Sequence, residues 1–355
     1  CSSDLNREFD KVVKSVFKST ATVATAAFVA LSFGAASTAQ AGSTWNFNMW
    51  GGKRAFTAGV ESLKVDLEKA GGGEFELKIN YGDALGPRRQ NPENIRVGAF
   101  EAGQLCVGYY PGKLPLYSGL ELPFILPRDL AKRAAVEMEL HKHPALVAEL
   151  DKRWNMRFFG PAFLPAYEFM GNKRIETTAD MKGVKMRISG LNAKVLQVFG
   201  ATPTMVTAPE GYNALQRGTI DSFGFPYSYA FGAYKLYEVS KYVTEGLGMG
   251  GFLCLQTVNN EAWNAAPKAV QNALPAAQNH AIEKMITAYT EADKKWIPLF
   301  HKKLEVVQVA PSVRQQLVDG SDAVYREWAA AQDAKGRPGT EMLEHIKAVV
   351  AKHMK

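Results

Sequence analysis

The stretch that decides the fold covers residues 179–226 and reads ADMKGVKMRISGLNAKVLQVFGATPTMVTAPEGYNALQRGTIDSFGFP. The spacing of its apolar residues predicts a strand, a helix, a second strand and a second helix, with glycine turns between them. These elements are residues 184–188, 191–198, 202–206 and 209–217. A strand–helix–strand–helix order is typical of α/β architecture with parallel neighbouring strands. We therefore expect an α/β fold.

Arg187 stands at the carboxyl end of the first of these strands. Ligands of open α/β sheets bind outside the carboxyl ends of the parallel strands. A guanidinium group presents a planar fork that forms two charge-assisted hydrogen bonds to a carboxylate. The position therefore suits a carboxylate clamp. A solvated arginine at a strand end and one half of a structural ion pair are the alternatives.

Two parts of this stretch resemble the signature of a known transporter family. The segments DMKGVKMR (180–187) and FGATPTMVTAPEGYNALQRGTID (199–221) resemble the solute-binding subunits of tripartite ATP-independent periplasmic (TRAP) transporters, the DctP family. Weaker matches extend over nearly the whole chain: YGDALG (81–86), IRVGAFEAGQLCVGYYPG (95–112) and LELPF (120–124). The resemblance implies a binding protein that delivers an organic acid to membrane permease subunits. It also favours the clamp at Arg187 over the alternatives.

The resemblance further implies a two-lobed periplasmic binding protein of the Venus-flytrap type, with a hinge. A length of 355 residues suits two domains, and strands alternate with helices along most of the chain. A helical pattern over residues 267–296 is long enough to brace both lobes. The predicted division is a leader over 1–41, lobe I over 42–164 plus 253–292, and lobe II over 165–252 plus 293–355.

The first 41 residues predict export. Lys11, Lys14 and Lys18 form a basic region, residues 21–33 are apolar, and Ala39-Gln40-Ala41 matches a signal-peptidase site. We expect cleavage near Ala41 and a periplasmic protein, with an uncleaved anchor as the alternative. The opening CSSDLNREFD is acidic and precedes the basic region, so we expect that it is not native.

The mature chain keeps two cysteines, Cys106 and Cys254. Both lie in apolar, strand-like surroundings, where free cysteine usually behaves as a small buried hydrophobe. We expect two free thiols, and a disulfide is the alternative in an oxidising compartment.

The motifs of enzymes and cofactor sites are weak in this sequence. The glycines of residues 246–251 fit G-x-G-x-x-G, but a strand-like segment follows where the dinucleotide fingerprint needs a helix, so a flexible connection is expected. His141 and His143 lack accompanying acids or cysteines and are interpreted as surface residues. No arginine-rich run with interleaved aromatics indicates nucleic acid. We expect a monomeric binding protein and not an enzyme, with no cofactor and no metal.

The departures from the family pattern predict the ligand. Family members that bind sialic acid carry a second arginine where this chain has Tyr167, and an asparagine where it has Phe225. The expected pocket therefore joins one arginine to aromatic side chains, although each of these could instead belong to the core. The candidate binding residues are Arg187, Tyr167, Phe225, Tyr110, Tyr227, Trp50 and Glu168. This set favours a monocarboxylate with an apolar or aromatic body.

Two other classes of function remain open at this point. An enzyme acting on small carboxylates would use Arg187 to position its substrate and Glu168 as a base. A ligand sensor that feeds a signalling partner would share the same pocket. Turnover of a carboxylate would identify the enzyme.

Overall fold

The computed structural model describes residues 42–110, 112–188 and 190–355. The predicted leader and its cleavage after Ala41 lie outside the described residues. Within them the chain forms two β-sheets surrounded by helices. None of the described helices is both long and apolar enough to cross a membrane.

The first sheet has five strands in the order β2-β1-β3-β10-β4. β1 runs parallel to β2 and β3, whereas β10 is antiparallel to both of its neighbours. The strands are β1 Ser43–Asn48, β2 Phe75–Asn80, β3 Ala102–Cys106, β4 Met156–Pro161 and β10 Cys254–Asn259. The helices of this part are α1 Ala58–Gly71, α2 Asn91–Arg96, α3 Leu130–Leu140, α4 Pro144–Trp154 and α8 Asn260–Ala265.

The second sheet has six strands in the order β11-β9-β5-β8-β6-β7. The strands are β5 Tyr167–Gly171, β6 Lys185–Arg187, β7 Thr202–Pro203, β8 Ser222–Pro226, β9 Tyr242–Glu245 and β11 Glu305–Gln308. The short helices between them are α5 Asn192–Val198, α6 Gly211–Gln216 and α7 Tyr229–Ala233. β6 pairs in parallel with both β7 and β8, so the expected α/β architecture around Arg187 is confirmed.

The long helix α9 runs over Lys268–Lys303, longer than the predicted 267–296, and its 36 residues extend roughly 54 Å at 1.5 Å per residue. It contacts both sheets. Gln278 Nε2 donates to the carbonyl of Phe159 in β4 at 2.9 Å. Further along, Asp293 Oδ1 accepts a 2.6 Å hydrogen bond from Ser228 Oγ, just after β8. The helix therefore braces the two sheets as predicted.

The C-terminal helices α10 Pro311–Asp333 and α11 Gly339–Met354 close the chain. The last helix packs against α3, where Lys352 Nζ donates to Glu139 at 2.8 Å. It therefore lies against the first sheet's helices, although the predicted lobe II includes it. The division into lobes stays a prediction.

Short segments outside the strands precede β5 and β9. The apolar run from Met156 to Phe169 contains two strands, β4 and β5, which belong to different sheets. Residues 162–166, with Pro165, lie between them and carry the chain across. β9 begins at Tyr242 and follows a short 3₁₀ turn, Leu236–Glu238.

The expectation of two free thiols is wrong, because Cys106 and Cys254 form a disulfide. The antiparallel register of β3 and β10 places these residues directly opposite each other, with their Cα atoms 4.0 Å apart. Directly opposed residues in an antiparallel pair lie within disulfide reach. This pairing depends on a register between strands 148 residues apart, which local sequence does not reveal.

Candidate functional site

A narrow cavity of about 20 Å³ lies where the carboxyl ends of β1 and β3 face β5 and β8. Eight of its fourteen lining residues are aromatic, and one is charged, so its wall is largely apolar. The aromatic residues are Trp50, Phe56, Tyr109, Tyr167, Phe225, Tyr229, Tyr234 and Phe252. This volume holds about one water molecule.

Arg187 is fully buried beside this cavity. Its Nε donates to the carbonyl of Val206 at 2.9 Å and its Nη1 to the carbonyl of Gly224 at 3.1 Å. Its Nη2 is buried and has no partner among the described residues. The guanidinium carbon lies 5.1 Å from the ring centre of Phe225 and 5.8 Å from that of Phe252, and both rings line the cavity.

Arg187 therefore keeps a buried positive charge for which the described contacts supply no carboxylate. A buried charge is strongly unfavourable unless it is paired and hydrogen-bonded. This surrounding is typical of a site that an anionic ligand completes.

Tyr167 places a second donor in the same cavity. Its hydroxyl oxygen accepts a 3.3 Å hydrogen bond from the backbone N–H of Phe252, which leaves the hydroxyl proton available to donate. Burial raises the pKa of Tyr167 well above its usual range, and the nearby charge of Arg187 opposes this shift. The hydroxyl is therefore neutral at physiological pH and is a suitable donor to a carboxylate.

Of the remaining candidates, Trp50 and Phe225 also line the cavity, but Tyr110 and Tyr227 do not. The hydroxyl of Tyr110 donates to the carbonyl of Arg88 at 2.6 Å. Tyr109 lines the cavity instead of Tyr110, because β3 ends at Cys106 and a 3₁₀ turn follows. The turn interrupts the alternating side-chain directions that a continued strand would have. The hydroxyl of Tyr227 donates to Glu245 at 2.6 Å, outside the cavity.

Glu168 is also not among the residues that line the cavity, and its part in ligand binding stays a prediction. Its carboxylate accepts hydrogen bonds from the backbone N–H groups of Gly246, Leu247 and Gly248 at 2.9–3.2 Å, and from Thr244 Oγ1 at 3.0 Å. Burial raises the pKa of Glu168 to about 7, and these donors oppose the shift. The glycine run predicted as a flexible connection thus holds a buried carboxyl group.

The prediction that His141 lies at the surface is wrong. His141 is buried and not on the surface, with its ring stacked on Phe158 at a centroid distance of 3.9 Å. Burial lowers its pKa to about 3, so the ring is neutral. Among the described residues no cluster of three or more histidine, cysteine or acidic side chains is arranged to hold a metal ion.

Glu121 is a buried acid that the sequence did not single out. Its Oε1 accepts 3.0 Å hydrogen bonds from the backbone N–H groups of Gly108 and Leu253. Its Oε2 lies only 2.7 Å from where a Cβ of Gly190 would stand, in the turn after β6. Burial raises the pKa of Glu121 to about 8, against the effect of the two N–H donors. Glu121 therefore connects the segments around the cavity across the two sheets.

Arg54 is the one charged residue in the described cavity wall, and it is not among the residues predicted from the sequence. It lies in the turn that follows β1, six residues after Asn48. The rule that directs attention to the carboxyl ends of parallel strands applies here as it does at Arg187. Phe56, Tyr234 and Phe252 were missed as well, and their spacing in the sequence carries no comparable signal.

The comparison with protein families gives one match over most of the chain. Residues 48–332 match the family model DctP, bacterial extracellular solute-binding protein, family 7. Among curated relatives, a solute-binding protein of Verminephrobacter eiseniae is 27% identical over 52% of this chain and 55% of its own length. A monocarboxylate 2-oxoacid-binding periplasmic protein of a Nostoc species is 27% identical over 65% of this chain and 64% of its own length. The chain thus spans less than two thirds of these two relatives.

Solved structures share the fold at low sequence identity. A TRAP periplasmic solute-binding protein of Desulfovibrio salexigens with bound orotic acid has a TM-score of 0.78 and 22% identity, covering 88% of this chain and 99% of that one. A marine-metagenome TRAP protein specific for aromatic acids, in complex with 3-hydroxybenzoate, has a TM-score of 0.77 and 19% identity, again covering 88% of this chain and 99% of that one. A Roseobacter denitrificans TRAP protein with bound β-D-glucuronate has a TM-score of 0.73 and 19% identity, covering 86% of this chain and 99% of that one.

Proposed function

The chain belongs to the bacterial extracellular solute-binding proteins of family 7, and from this premise we propose that it captures a small carboxylate between two hinged lobes. It then delivers the ligand, as a periplasmic monomer, to the membrane permease subunits of a TRAP transporter. The observation that carries this proposal is the buried Nη2 of Arg187, which has no described partner beside the cavity. A carboxylate there would receive hydrogen bonds from Arg187 and from the hydroxyl of Tyr167.

The ligand we propose is a monocarboxylate with an aromatic or apolar body. Aromatic rings make up most of the cavity wall, and a flat apolar ligand packs well against such rings. The solved relatives bind orotic acid, an aromatic acid and a uronate, so the fold alone accepts ligands of different polarity. The wall of this cavity favours the aromatic acid, because the hydroxyls of a sugar acid would need more polar partners than it offers.

Ligand binding would shift the protein toward its closed form. A ligand that contacts both sheets binds the closed arrangement better than the open one, and closure removes water from the pair between Arg187 and the carboxylate. Without a carboxylate, closure buries the arginine charge unpaired. The protein therefore distinguishes acids from their neutral amides.

The two alternative classes have less support. The enzyme hypothesis assigned the base to Glu168, whose carboxylate already accepts four hydrogen bonds outside the cavity. A ligand sensor would use the same site and differs only in its partner. Co-purification with permease subunits distinguishes transport from sensing.

A thermal-shift screen tests the proposal. The probes are benzoate, mandelate, pyruvate, succinate and glucuronate, together with benzamide as the neutral control. We expect benzoate and mandelate to raise the melting temperature and benzamide to leave it unchanged. Mass spectrometry of the recovered ligand should show no turnover. A protein that no carboxylate stabilises, or that converts one to product, contradicts the proposal.

A further inference from the structure

The cavity contains a second arginine, Arg54, that the proposed clamp does not use. Its Nη1 donates to the backbone carbonyls of Trp50 at 2.9 Å and of Gly52 at 2.7 Å. Its Nε and Nη2 have no hydrogen-bond acceptor among the described residues, and it forms no ion pair with any described carboxylate. The side chain is therefore held in place by one nitrogen while its remaining donors stay available.

Arg54 and Arg187 each lie close to an aromatic ring of the cavity wall. The guanidinium of Arg54 is 6.0 Å from the ring centre of Tyr234, and that ring is 5.5 Å from Phe225. The guanidinium of Arg187 is 5.1 Å from the ring of Phe225. Burial raises the pKa of Tyr234, and the charges of both arginines oppose the shift. The guanidinium groups of Arg54 and Arg187 therefore both lie near rings that line this cavity.

The two arginines differ in what they need from a ligand. Arg187 is fully buried, so its charge requires an anion. Arg54 is only partly buried and also borders an outer groove lined by Glu61 and Glu291. Its charge is therefore exposed to water and to acidic neighbours, and its open donors need an acceptor oxygen but not a second full negative charge.

Building on the proposed function, we propose that Arg54 is a specificity-determining residue that binds an oxygen at the end of the ligand remote from the carboxylate. The preferred ligand is then an aromatic monocarboxylate that carries a hydroxyl or carbonyl oxygen. The unsubstituted acid binds more weakly because it leaves Arg54 without a partner. An aromatic dicarboxylate gains less, because its second charge must leave water.

The position of Arg54 also gives the closing motion its selectivity. Arg54 follows a strand of the first sheet, and Arg187 ends a strand of the second. A ligand that reaches both arginines connects the two sheets, whereas one that reaches only Arg187 stabilises closure less.

Calorimetry with matched variants tests this inference. The ligands are benzoate, 3-hydroxybenzoate, 4-hydroxybenzoate and isophthalate, titrated into the wild type, Arg54→Leu, Arg54→Lys and Lys53→Gln. Lys53→Gln is the control, because it removes a positive charge next to Arg54 in the sequence. Lys53 itself borders only the outer groove and pairs with Glu61. A hydrogen bond to a charged group is worth roughly tenfold or more in affinity, so the better hydroxybenzoate should bind the wild type about tenfold tighter than benzoate.

We expect Arg54→Leu to remove this preference, so that benzoate and the hydroxybenzoates bind this variant with about equal affinity. Lys53→Gln should keep the preference, and Arg54→Lys should keep only part of it. Arg54→Lys can anchor the Trp50 and Gly52 carbonyls, so it provides a readout if the leucine variant does not fold.

Three results overturn the inference. They are an Arg54 variant that keeps the full preference, a wild type without any preference, and isophthalate as the tightest ligand. If Arg187→Ala abolishes binding while the Arg54 variants behave as wild type, the inference fails and the proposed function stands. If no carboxylate binds, both fail.

Discussion

At the scale of single residues, burial decides what each charged group in this protein requires. Arg187 is fully enclosed and has one buried nitrogen without a described partner. Glu168 is also buried, but three backbone N–H groups and one hydroxyl satisfy its carboxylate. The acid is therefore satisfied within the fold, whereas the arginine keeps one buried donor that the proposed carboxylate would bind.

The first prediction concerns Arg187. Arg187→Lys keeps the charge but loses the planar fork, so benzoate binding should weaken by roughly ten- to a hundredfold. Arg187→Ala should weaken it further, because the bound carboxylate would be buried without a counter-charge. Calorimetry measures both. Tyr167→Phe, which removes one neutral donor, is the matched variant and should lose less than either; an Arg187→Ala protein that binds as tightly as wild type contradicts the clamp.

The second prediction concerns Glu121 and pH. Burial raises the pKa of Glu121 to about 8, so the folded protein keeps its proton at pH values where the unfolded chain, with an ordinary glutamate pKa near 4.5, has lost it. The free energy of unfolding should therefore decrease as pH rises from about 4.5 to about 8. Glu121→Gln accepts the same two N–H bonds without titrating, so its stability should depend less on pH.

Denaturant unfolding of both proteins at pH 5 to 9 checks this prediction. Glu168, with a pKa of about 7, contributes a dependence of the same sign in both proteins, so the difference between their slopes isolates Glu121. Identical slopes would show that Glu121 does not titrate in this range.

At the scale of elements, the segment after β3 and the segment before β10 are joined three times beside the cavity. The disulfide Cys106–Cys254 links the strands covalently. The backbone N–H of Val107 donates to the carbonyl of Leu253 at 2.9 Å, and Glu121 accepts from both segments. These contacts fix Tyr109 and Phe252, whose rings pack edge to face at 5.0 Å in the cavity wall.

The third prediction follows from this redundancy. Replacing both cysteines, Cys106→Ser with Cys254→Ser, should lower the free energy of unfolding by about 2–5 kcal/mol, because the bridge closes a long loop. The affinity for benzoate should fall by much less than in Arg187→Ala, since Glu121 still holds both segments. Denaturant unfolding and calorimetry measure the two effects; equal stability with and without the bridge would contradict the first.

At the scale of the whole molecule, the chain passes between the sheets several times. Residues 162–166 lead from β4 to β5, residues 246–253 lead from β9 to β10, and α9 spans both sheets. Several connections close together permit a hinge and oppose free tumbling of two domains. Ligand capture is therefore expected as a closing motion about these connections.

The fourth prediction is a change in size on ligand binding. Small-angle scattering should give a smaller radius of gyration with saturating benzoate or hydroxybenzoate than without ligand. Arg187→Ala under the same conditions should keep the larger value, because it lacks the charge that the ligand neutralises. A wild-type profile that does not change with ligand would indicate a rigid pocket.

The sequence by itself determined the elements around Arg187 and singled out Arg187 as the proposed clamp. The strand at Arg187, the helix after it and the long helix were all read from apolar spacing, because periods of about two and 3.6 residues follow from local backbone geometry. The position of Arg187 followed from the general placement of ligands at strand ends.

Only the tertiary structure decided which distant segments meet. Pairing of Cys106 with Cys254 depends on the register between β3 and β10, and the choice of Tyr109 over Tyr110 depends on where β3 ends. The use of the glycine run to hold Glu168 and the place of Arg54 in the cavity wall depend on packing between segments far apart in the chain. The periodicity of apolar residues shows which face of its own helix or strand a side chain occupies. A binding site depends in addition on the order and register of these elements, which the spacing of residues in the sequence does not encode.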